Sequence, residues 1–390
     1  MEALQVLKPS SQESVMKLIE KTNFIQYDMV IKCLDVNGQN ILGKLYEINI
    51  KGKTITCDKE INIFLKEKIV LKTMKFFDTD QLYANELFMY KEISRIFTSV
   101  QDQANIPPED RYKFPRFYAE SNNEVIILEN LSKKGFRVYN KNEPVPLKFV
   151  ELGVQAIAKL HALSFVIENK MPDFFEEKIK VLVNRMNFDE DIGEMMQNVC
   201  EYVANLYEDE TKTKIKNYVP VLLDKLPKYL RDKTDISTIC HSDYKKYNIM
   251  IRIINGDPVE VIPVDYQLTD YGCPMRDLLL FLFSTTDQQF RKKHLNDLKE
   301  LYFETLSRFL KYFDMDVEIV YPRKKFEKIY TEWLDFGLMM TLLVSIALYA
   351  PDTGLDLENL SCKQLPFCPN KTFDHAIRGL IDDYVQWGIL

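Results

Sequence analysis

Glycine and basic charge are both in short supply in this sequence, and each shortage excludes a class of protein. Only 12 of the 390 residues are glycine, which argues against fibrous, low-complexity and linker-rich designs. The 51 Lys and Arg residues are outnumbered by 58 Asp and Glu residues, and the formal net charge is −7. We therefore predict no nucleic-acid partner, although a local basic pocket for a phosphorylated ligand is still compatible with this charge.

A cysteine framework and a hydrophobic targeting segment are also missing. The seven cysteines form no CxxC pair and lie at positions 33, 57, 200, 240, 273, 362 and 368. This scattered, odd-numbered set predicts buried free thiols in a reducing compartment rather than disulfides or a zinc site. The N-terminal residues lack the apolar core of a signal peptide, and the longest uncharged stretch, 336–350, is too short to span a bilayer. The sequence predicts a cytoplasmic protein with no membrane partner, in which 336–350 forms a buried helix.

The length and the hydrophobic pattern predict an α+β fold of two lobes. In the first 130 residues, runs at 45–50 and 54–57 read as a hairpin around Lys51-Gly52-Lys53, and 68–72 and 124–130 read as further strands. The stretch 79–100 has helical periodicity, and most of the chain after residue 146 is helical except for a β-rich island at 240–265. We predict an N-terminal lobe over 1–130, built of an antiparallel sheet and one helix. A larger, mainly helical lobe should follow over 131–390.

The β-rich island carries the most informative polar residues. Two short apolar runs, 249–254 and 259–264, flank the turn Asn255-Gly256-Asp257-Pro258. A hairpin would bring Asn248, just before the first run, beside Asp265, just after the second. Oxygen ligands that converge at a strand end suit Mg²⁺.

The same segment has the spacing of a kinase catalytic loop. In that loop an Asp accepts the proton of the substrate hydroxyl, and an Asn five residues later and an Asp beyond a hairpin hold the metal ions. Asp243, Asn248 and Asp265 fit these positions, with His241 bracing the loop. The alternative is an ordinary polar loop beside a surface hairpin, because HxDxxxxN alone is a weak motif.

Phosphoryl transfer also requires a phosphate-binding lysine, an acid that orients it and a pocket for the nucleotide. Lys72 ends an apolar run and Glu86 lies in the following helix, so this pair is the candidate, although most lysines in such a stretch are solvated. A loop containing Gly38, Asn40 and Gly43 could cover the phosphates or could be a plain turn. The segment 126–131, with Glu129 and Leu131, is the candidate hinge that would bind adenine.

Taken together, these motifs resemble the ecdysteroid kinase-like (CHK kinase-like) family of the choline and aminoglycoside phosphotransferase type. The segments that carry the resemblance are GQNILGKLY (38–46), VLK (70–72), NELFMY (85–90), LENL (128–131), AKLHALS (158–164), HSDYKKYNIM (241–250), VDYQ (264–267) and MRDLLLFL (275–282). The resemblance covers about residues 35 to 350 and implies a protein-kinase-like two-lobe fold. In such a fold, 1–130 would be the nucleotide-binding lobe and 131–390 the catalytic and acceptor-binding lobe.

The resemblance also implies a reaction, the ATP- and Mg²⁺-dependent phosphorylation of a hydroxyl on a small molecule such as an ecdysteroid or a foreign compound. By position, Asp243 would be the base, Asn248 and Asp265 the metal ligands, and Lys72 with Glu86 the phosphate-positioning pair. The sequence departs from the family where Ser242 replaces the usual Gly and Lys245 the usual Trp. Protein kinases also have a lysine at this place, where it can reach the transferred phosphate. We therefore add Lys245 to the catalytic candidates, because it could help to neutralise charge there.

Two alternatives to this enzyme remain, and a third fits poorly. A non-catalytic, pseudokinase-type ligand-binding protein could keep the same fold, and a choline- or aminoglycoside-type kinase could keep the same chemistry. A protein kinase fits less well, because Asp265 is followed by Tyr266 and Gln267 rather than by a DFG sequence, and no APE motif follows. The identity of the acceptor rests on the resemblance alone, and the sequence leaves the oligomeric state open.

Overall fold

The fold is known from a computed structural model of the chain, which describes residues 2–34, 43–140, 143–184, 186–231, 233–349 and 358–390. An antiparallel sheet lies in the N-terminal part, and helices dominate the larger C-terminal part. The predicted α+β fold class is confirmed.

The strands are β1 (Gln26–Leu34), β2 (Gly43–Lys53), β3 (Asp58–Lys68), β4 (Val125–Glu129), β5 (Phe136–Arg137), β6 (Thr238–Cys240), β7 (Ile249–Ile254), β8 (Asp257–Pro263) and β9 (Asp270–Gly272). The α-helices are α1 (Pro9–Thr22), α2 (Thr79–Phe88), α3 (Ser94–Gln103), α4 (Leu147–Lys170), α5 (Pro172–Phe174), α6 (Glu190–Ala204), α7 (Glu210–Arg231), α8 (Met275–Thr285), α9 (Gln288–Leu310), α10 (Val317–Val320), α11 (Arg323–Glu332), α12 (Leu334–Leu348) and α13 (Lys371–Gln386). Short 3₁₀ turns occur at Glu2–Val6, Leu131–Lys134, Lys246–Asn248, Tyr266–Leu268, Lys311–Phe313 and Cys362–Gln364, and π-helical turns at Met89–Ile93 and Phe175–Ile179.

The N-terminal sheet has the strand order β1-β2-β3-β4, with every neighbouring pair antiparallel. Along β3, Ile61, Ile63 and Leu65 point into a small core that also contains Val15 and Leu18 of α1, a helix that the sequence analysis did not predict. Because side chains alternate across a strand, the intervening residues of β3 face the opposite side of the sheet. On that opposite side, Phe64 and Lys66 line a cavity.

The β2–β3 turn lies three residues later than predicted. Gly52 is inside β2 and pairs with Tyr27 of β1, where a Cβ atom would come within 2.2 Å of the Gln26 carbonyl oxygen. This glycine therefore permits the close approach of two strands and does not make a turn. The turn is made at 54–57, where the Thr54 hydroxyl accepts the Cys57 N–H at 3.1 Å. As a result β3 ends at Lys68, and 68–72 is not a strand.

The predicted helix at 79–100 is present as α2, a π-helical turn and α3 in direct succession. Asp78 caps its N-terminus by accepting the Gln81 N–H at 3.2 Å. The Asn85 side-chain amide donates to the main-chain oxygens of Thr269 (3.1 Å) and Gln267 (3.4 Å). These bonds attach a helix of the N-terminal part to the segment that follows the β7–β8 hairpin.

The C-terminal core is built around α4, which packs against α8 and α9. α12 is buried in the same core, as predicted for 336–350. By length and composition alone, one helix of the described residues, α4, could cross a membrane, and 72% of its apolar window is buried. The adjacent helices α11 and α12 meet that criterion only as one span bent by 48°. A buried core helix passes the same test, so this finding is weak support for a membrane span.

All seven cysteines are free thiols, as predicted. Cys200, Cys240, Cys273 and Cys362 are buried, and burial raises the pKa of each of these thiols. The expectation of burial is wrong for Cys33, Cys57 and Cys368, which are exposed.

Candidate active site

The β7–β8 hairpin forms as the sequence predicted and brings its two outer ends together. Ile249 pairs with Pro263, and the Val264 N–H donates to the Asn248 carbonyl oxygen at 2.9 Å. Asn248 and Asp265 therefore lie at one end of the hairpin. Both line a cavity of ≈ 340 Å³ between the N-terminal sheet and the hairpin.

Asp243 lies beside Asn248, and two side chains contact its carboxylate. The Asn248 amide nitrogen donates to Oδ2 and to the main-chain oxygen of Asp243, each at 2.8 Å. The Lys245 ammonium lies 2.5 Å from Oδ1 and 2.6 Å from Oδ2. Since the nitrogen of the Asn248 amide is used in this way, its oxygen is the atom through which Asn248 could bind a metal.

The loop that carries Asp243 is held from below by a buried carboxylate. Asp277, at the start of α8, accepts the main-chain N–H groups of His241 and Ser242, each at 2.7 Å. Its other neighbour is His161 of α4, at 3.1 Å. Burial alone would raise the pKa of Asp277, but the hydrogen bonds and charges of these histidines outweigh it and lower the pKa. His241 also contacts the Val264 carbonyl oxygen at 3.0 Å through Nε2.

His161, Cys240 and Asp277 lie close enough to hold a metal ion, with ligand atoms within 4.8 Å of one another. Their hydrogen bonds already occupy these atoms. Both His161 nitrogens are bonded, to Asp277 and to the Tyr302 hydroxyl at 2.7 Å. Burial raises the pKa of the Cys240 thiol, which stays protonated and donates to the Gly272 carbonyl oxygen at 3.2 Å. The three residues therefore belong to the hydrogen-bond network that holds the loop of Asp243.

The lysine that pairs with Glu86 is Lys66, and the predicted pairing of Lys72 with Glu86 is wrong. The Lys66 ammonium lies 2.7 Å from Glu86 and 2.6 Å from Asp265, and its side chain is only 4% exposed. It also contacts the Gln267 amide oxygen at 3.1 Å. Lys72 lies beyond the end of β3 with 60% of its side chain exposed, 3.9 Å from Glu358.

Charge in this cluster is unbalanced, because one ammonium lies between two carboxylates. Burial would lower the pKa of Lys66, but Asp265 and Glu86 outweigh it, so the pKa is raised and the ammonium persists. Burial would raise the pKa of Asp265, and Lys66 reverses this and lowers it. For Glu86 burial prevails over Lys66, and the pKa is raised. Glu86 therefore takes up a proton more readily than an ordinary glutamate, whereas Lys66 and Asp265 are held in their charged forms.

Of the other residues predicted to bind the nucleotide, two lie at the cavity and two are not described by the structure. Glu129 and Leu131 both line the cavity, together with apolar residues such as Leu45, Ile126 and Leu128. Gly38 and Asn40 lie outside the described residues.

Sequence reasoning missed three residues of this site, namely Lys66, Tyr90 and Gln267. Lys66 could have been found from the alternation of Ile61, Ile63 and Leu65, which places residue 66 on the opposite face of the strand. Tyr90 follows Glu86 by four residues and therefore shares its helix face. Gln267 was quoted as part of a motif, but nothing in its spacing indicated a contact with a lysine some 200 positions earlier.

Comparisons with known proteins agree with the predicted family. The model of the ecdysteroid kinase-like family matches residues 37–315, more than two thirds of the chain. No curated protein matches the sequence significantly.

Solved structures of low similarity include two aminoglycoside phosphotransferases and a glucosamine kinase. An aminoglycoside phosphotransferase from Streptomyces rimosus is 12% identical, with a TM-score of 0.32 and coverage of 77% of this chain and 96% of that one. A GDP complex of aminoglycoside 2'-phosphotransferase-IIIa is 12% identical, with a TM-score of 0.38 and coverage of 87% of this chain and 98% of that one. Glucosamine kinase in complex with glucosamine, ADP and inorganic phosphate is 10% identical, with a TM-score of 0.36 and coverage of 87% of this chain and 86% of that one. Similarities this low carry no argument about activity. The match to the family model does, and the chain belongs to the ecdysteroid kinase-like family, a group of phosphotransferases that act on hydroxyl groups.

Proposed function

We propose that the protein is an ATP- and Mg²⁺-dependent kinase that transfers the γ-phosphate to a hydroxyl of a hydrophobic small molecule. The observation that carries the proposal is the convergence of Lys66, Glu86, Asn248 and Asp265 on one cavity, with Asp243 hydrogen-bonded to Asn248. These are the parts that phosphoryl transfer requires, since the protein acts mainly by positioning groups and offsetting charge.

In this proposal the nucleotide occupies the cavity between the N-terminal sheet and the β7–β8 hairpin. The apolar lining near Glu129 and Leu131 would hold the adenine ring, and Lys66, oriented by Glu86, would bind the phosphates. The lining residues come from both sides of Asn130, which agrees with a nucleotide-binding lobe over 1–130 and a catalytic lobe over 131–390.

The donor set at the inner end of the cavity fits Mg²⁺. Asp265 offers carboxylate oxygens and Asn248 an amide oxygen, which are hard ligands, and Mg²⁺ usually takes few protein ligands and completes its shell with water and phosphate. Held by Asp265 and Asn248, Mg²⁺ would supply positive charge that offsets the negative charge developing during phosphoryl transfer.

Asp243 is the proposed base, and Lys245 is its proposed partner. The carboxylate would accept the proton of the acceptor hydroxyl, while the Asn248 amide and the two loop N–H bonds to Asp277 fix its position. The Lys245 ammonium contacts both carboxylate oxygens of Asp243. It would thereby orient the base and bring positive charge near the transferred phosphoryl group.

Family membership supports a hydroxylated small molecule, such as an ecdysteroid or a foreign compound, as the acceptor. The cytoplasm is the proposed location, as predicted from the sequence. The test is a Mg²⁺-ATP phosphotransfer screen with hydroxylated steroids, choline, aminoglycosides and plant phenolics. Asp243→Asn should lower turnover by about 10²- to 10⁴-fold and leave nucleotide binding intact.

The matched control for this screen is Asp224→Asn, which changes an exposed carboxylate on α7 whose partner is Lys228. It should turn over like the wild type. Equal turnover by Asp243→Asn would discard the catalytic assignment. Binding of Mg²⁺-ATP without transfer to any acceptor class would instead favour the non-catalytic ligand-binding alternative.

A further inference from the structure

Asp265 adopts a main-chain conformation that side-chain-bearing residues seldom take. Its φ of 69° and ψ of 60° lie in the left-handed region. The residue stands between Val264 at the end of the hairpin and a 3₁₀ turn, Tyr266–Leu268, which begins immediately afterwards. Such a conformation persists only when neighbouring groups hold it. At Asp265 it also determines the direction of the carboxylate.

The main-chain N–H of Asp265 donates to the hydroxyl oxygen of Tyr90, at 3.1 Å. Tyr90 is buried, and its ring meets that of Tyr266 edge-on with the centroids 5.4 Å apart.

The helix geometry around Tyr90 is also unusual. Tyr90 lies in the π-helical turn Met89–Ile93, between α2 and α3. Such turns are rare, insert locally into α-helices and are frequent at functional sites. One short helical segment thus presents two groups to the same aspartate, since Glu86 reaches it through Lys66 and Tyr90 reaches its main chain directly.

We propose that the hydroxyl of Tyr90 is a positioning group that fixes the main chain of Asp265 so that its carboxylate is directed at the metal ion. This inference rests on the proposed role of Asp265 as a metal ligand. The carboxylate is held separately, by Lys66 at 2.6 Å and by the Gln267 amide nitrogen at 3.4 Å. The hydroxyl therefore governs the direction of the ligand, while Lys66 and Gln267 contact its oxygens.

The test is Tyr90→Phe, which removes the hydroxyl and retains the ring. Titration of Mg²⁺ at fixed ATP should show that half-maximal nucleotide binding requires about threefold to tenfold more Mg²⁺ than in the wild type, the effect of one lost hydrogen bond. ATP binding in EDTA should not change. A role in packing alone would not produce this separation between binding with and without Mg²⁺.

The matched control is Tyr112→Phe, which removes another buried hydroxyl from the same aromatic cluster. Tyr112 is hydrogen-bonded to the Tyr266 hydroxyl at 2.5 Å. Its variant should titrate like the wild type. The inference is overturned if Tyr90→Phe titrates like the wild type, or if Tyr112→Phe shifts the Mg²⁺ requirement as much. Wild-type ATP binding that ignores Mg²⁺ would refute the metal site itself, before any variant is made.

A measurement on the unmodified protein covers the case in which Tyr90→Phe does not fold. Hydrogen exchange of the nucleotide-free wild type should show the Asp265 amide exchanging more slowly than an unprotected amide, because it is bonded to Tyr90. Exchange at the unprotected rate would overturn the inference.

Discussion

Replacement of Lys66 by Met tests the structural assignment of the nucleotide site directly. Met keeps roughly the length of the lysine stem and removes the charge. The lost ammonium contacts Glu86 at 2.7 Å and Asp265 at 2.6 Å and is almost completely buried. Lys72→Met is the matched control, because it makes the same chemical change at the position that the sequence alone favoured.

The expected loss in nucleotide affinity follows from the bond that Lys66 would make to the phosphates. Hydrogen bonds to charged groups contribute about 1.5–3 kcal/mol, which corresponds to about a tenfold to hundredfold rise in the Kd of Mg²⁺-ATP. Lys72 is mostly exposed, and exposed ion pairs contribute about 0–1 kcal/mol. The Kd of Lys72→Met should therefore stay within about twofold of the wild-type value.

Removal of Lys66 also affects stability. Truncation of one partner of a buried ion pair costs about 3–5 kcal/mol of unfolding free energy, because a charge remains buried and unpaired. Here the loss should lie near the lower end, since burial already raises the pKa of Glu86 and lets it take up a proton.

Calorimetric titration with Mg²⁺-ATP measures the affinities, and denaturant unfolding identifies a variant that has lost its fold. A Lys66→Met protein that folds and binds nucleotide like the wild type would refute the assignment. Weak binding by Lys72→Met alone would restore the sequence-based interpretation.

Three further predictions concern the metal ligand, the helical core and the thiols. Asp265→Ala should weaken ATP binding in Mg²⁺ and leave binding in EDTA nearly unchanged; equal Mg²⁺-ATP affinity would count against its metal role. Gly153→Ala should lower the free energy of unfolding by about 1–3 kcal/mol, because the new Cβ atom would lie 2.4 Å from the Phe281 ring. Gly193→Ala, on a helix with open space around it, should raise the free energy of unfolding by about 0.5–1 kcal/mol. Ellman's reagent at neutral pH should modify the three exposed thiols of the native protein and all seven after unfolding; rapid reaction of a fourth in the native protein would contradict the burial.

The parts of the site that depend on local sequence could be predicted. The β7–β8 hairpin is specified by a turn sequence between two apolar runs, and its closure brings Asn248 and Asp265 together. Asp243 follows from a fixed spacing to Asn248 in the same loop. Each of these inferences required only residues within about one hairpin of each other.

The lysine was assigned to the wrong position, because the assignment depended on where the strand before α2 ends. Gly52 looked like a turn residue in the sequence, while its role is to admit β1 against β2. The sequence therefore suggested one strand at 54–57 and another at 68–72, whereas the structure has a single strand over Asp58–Lys68. Burial of a lysine also depends on two acids from distant parts of the chain, Glu86 and Asp265, which no local pattern reports.

The attachment of the α2–α3 helix to the C-terminal part has a consequence for regulation. Kinases that are switched on and off do so by moving the corresponding helix and thereby making or breaking the lysine–glutamate pair. Here the Asn85 amide fastens the helix to the main chain at Gln267 and Thr269, and Lys66 is paired with Glu86. We therefore expect that the activity of the proposed kinase does not depend on an activating modification that moves this helix.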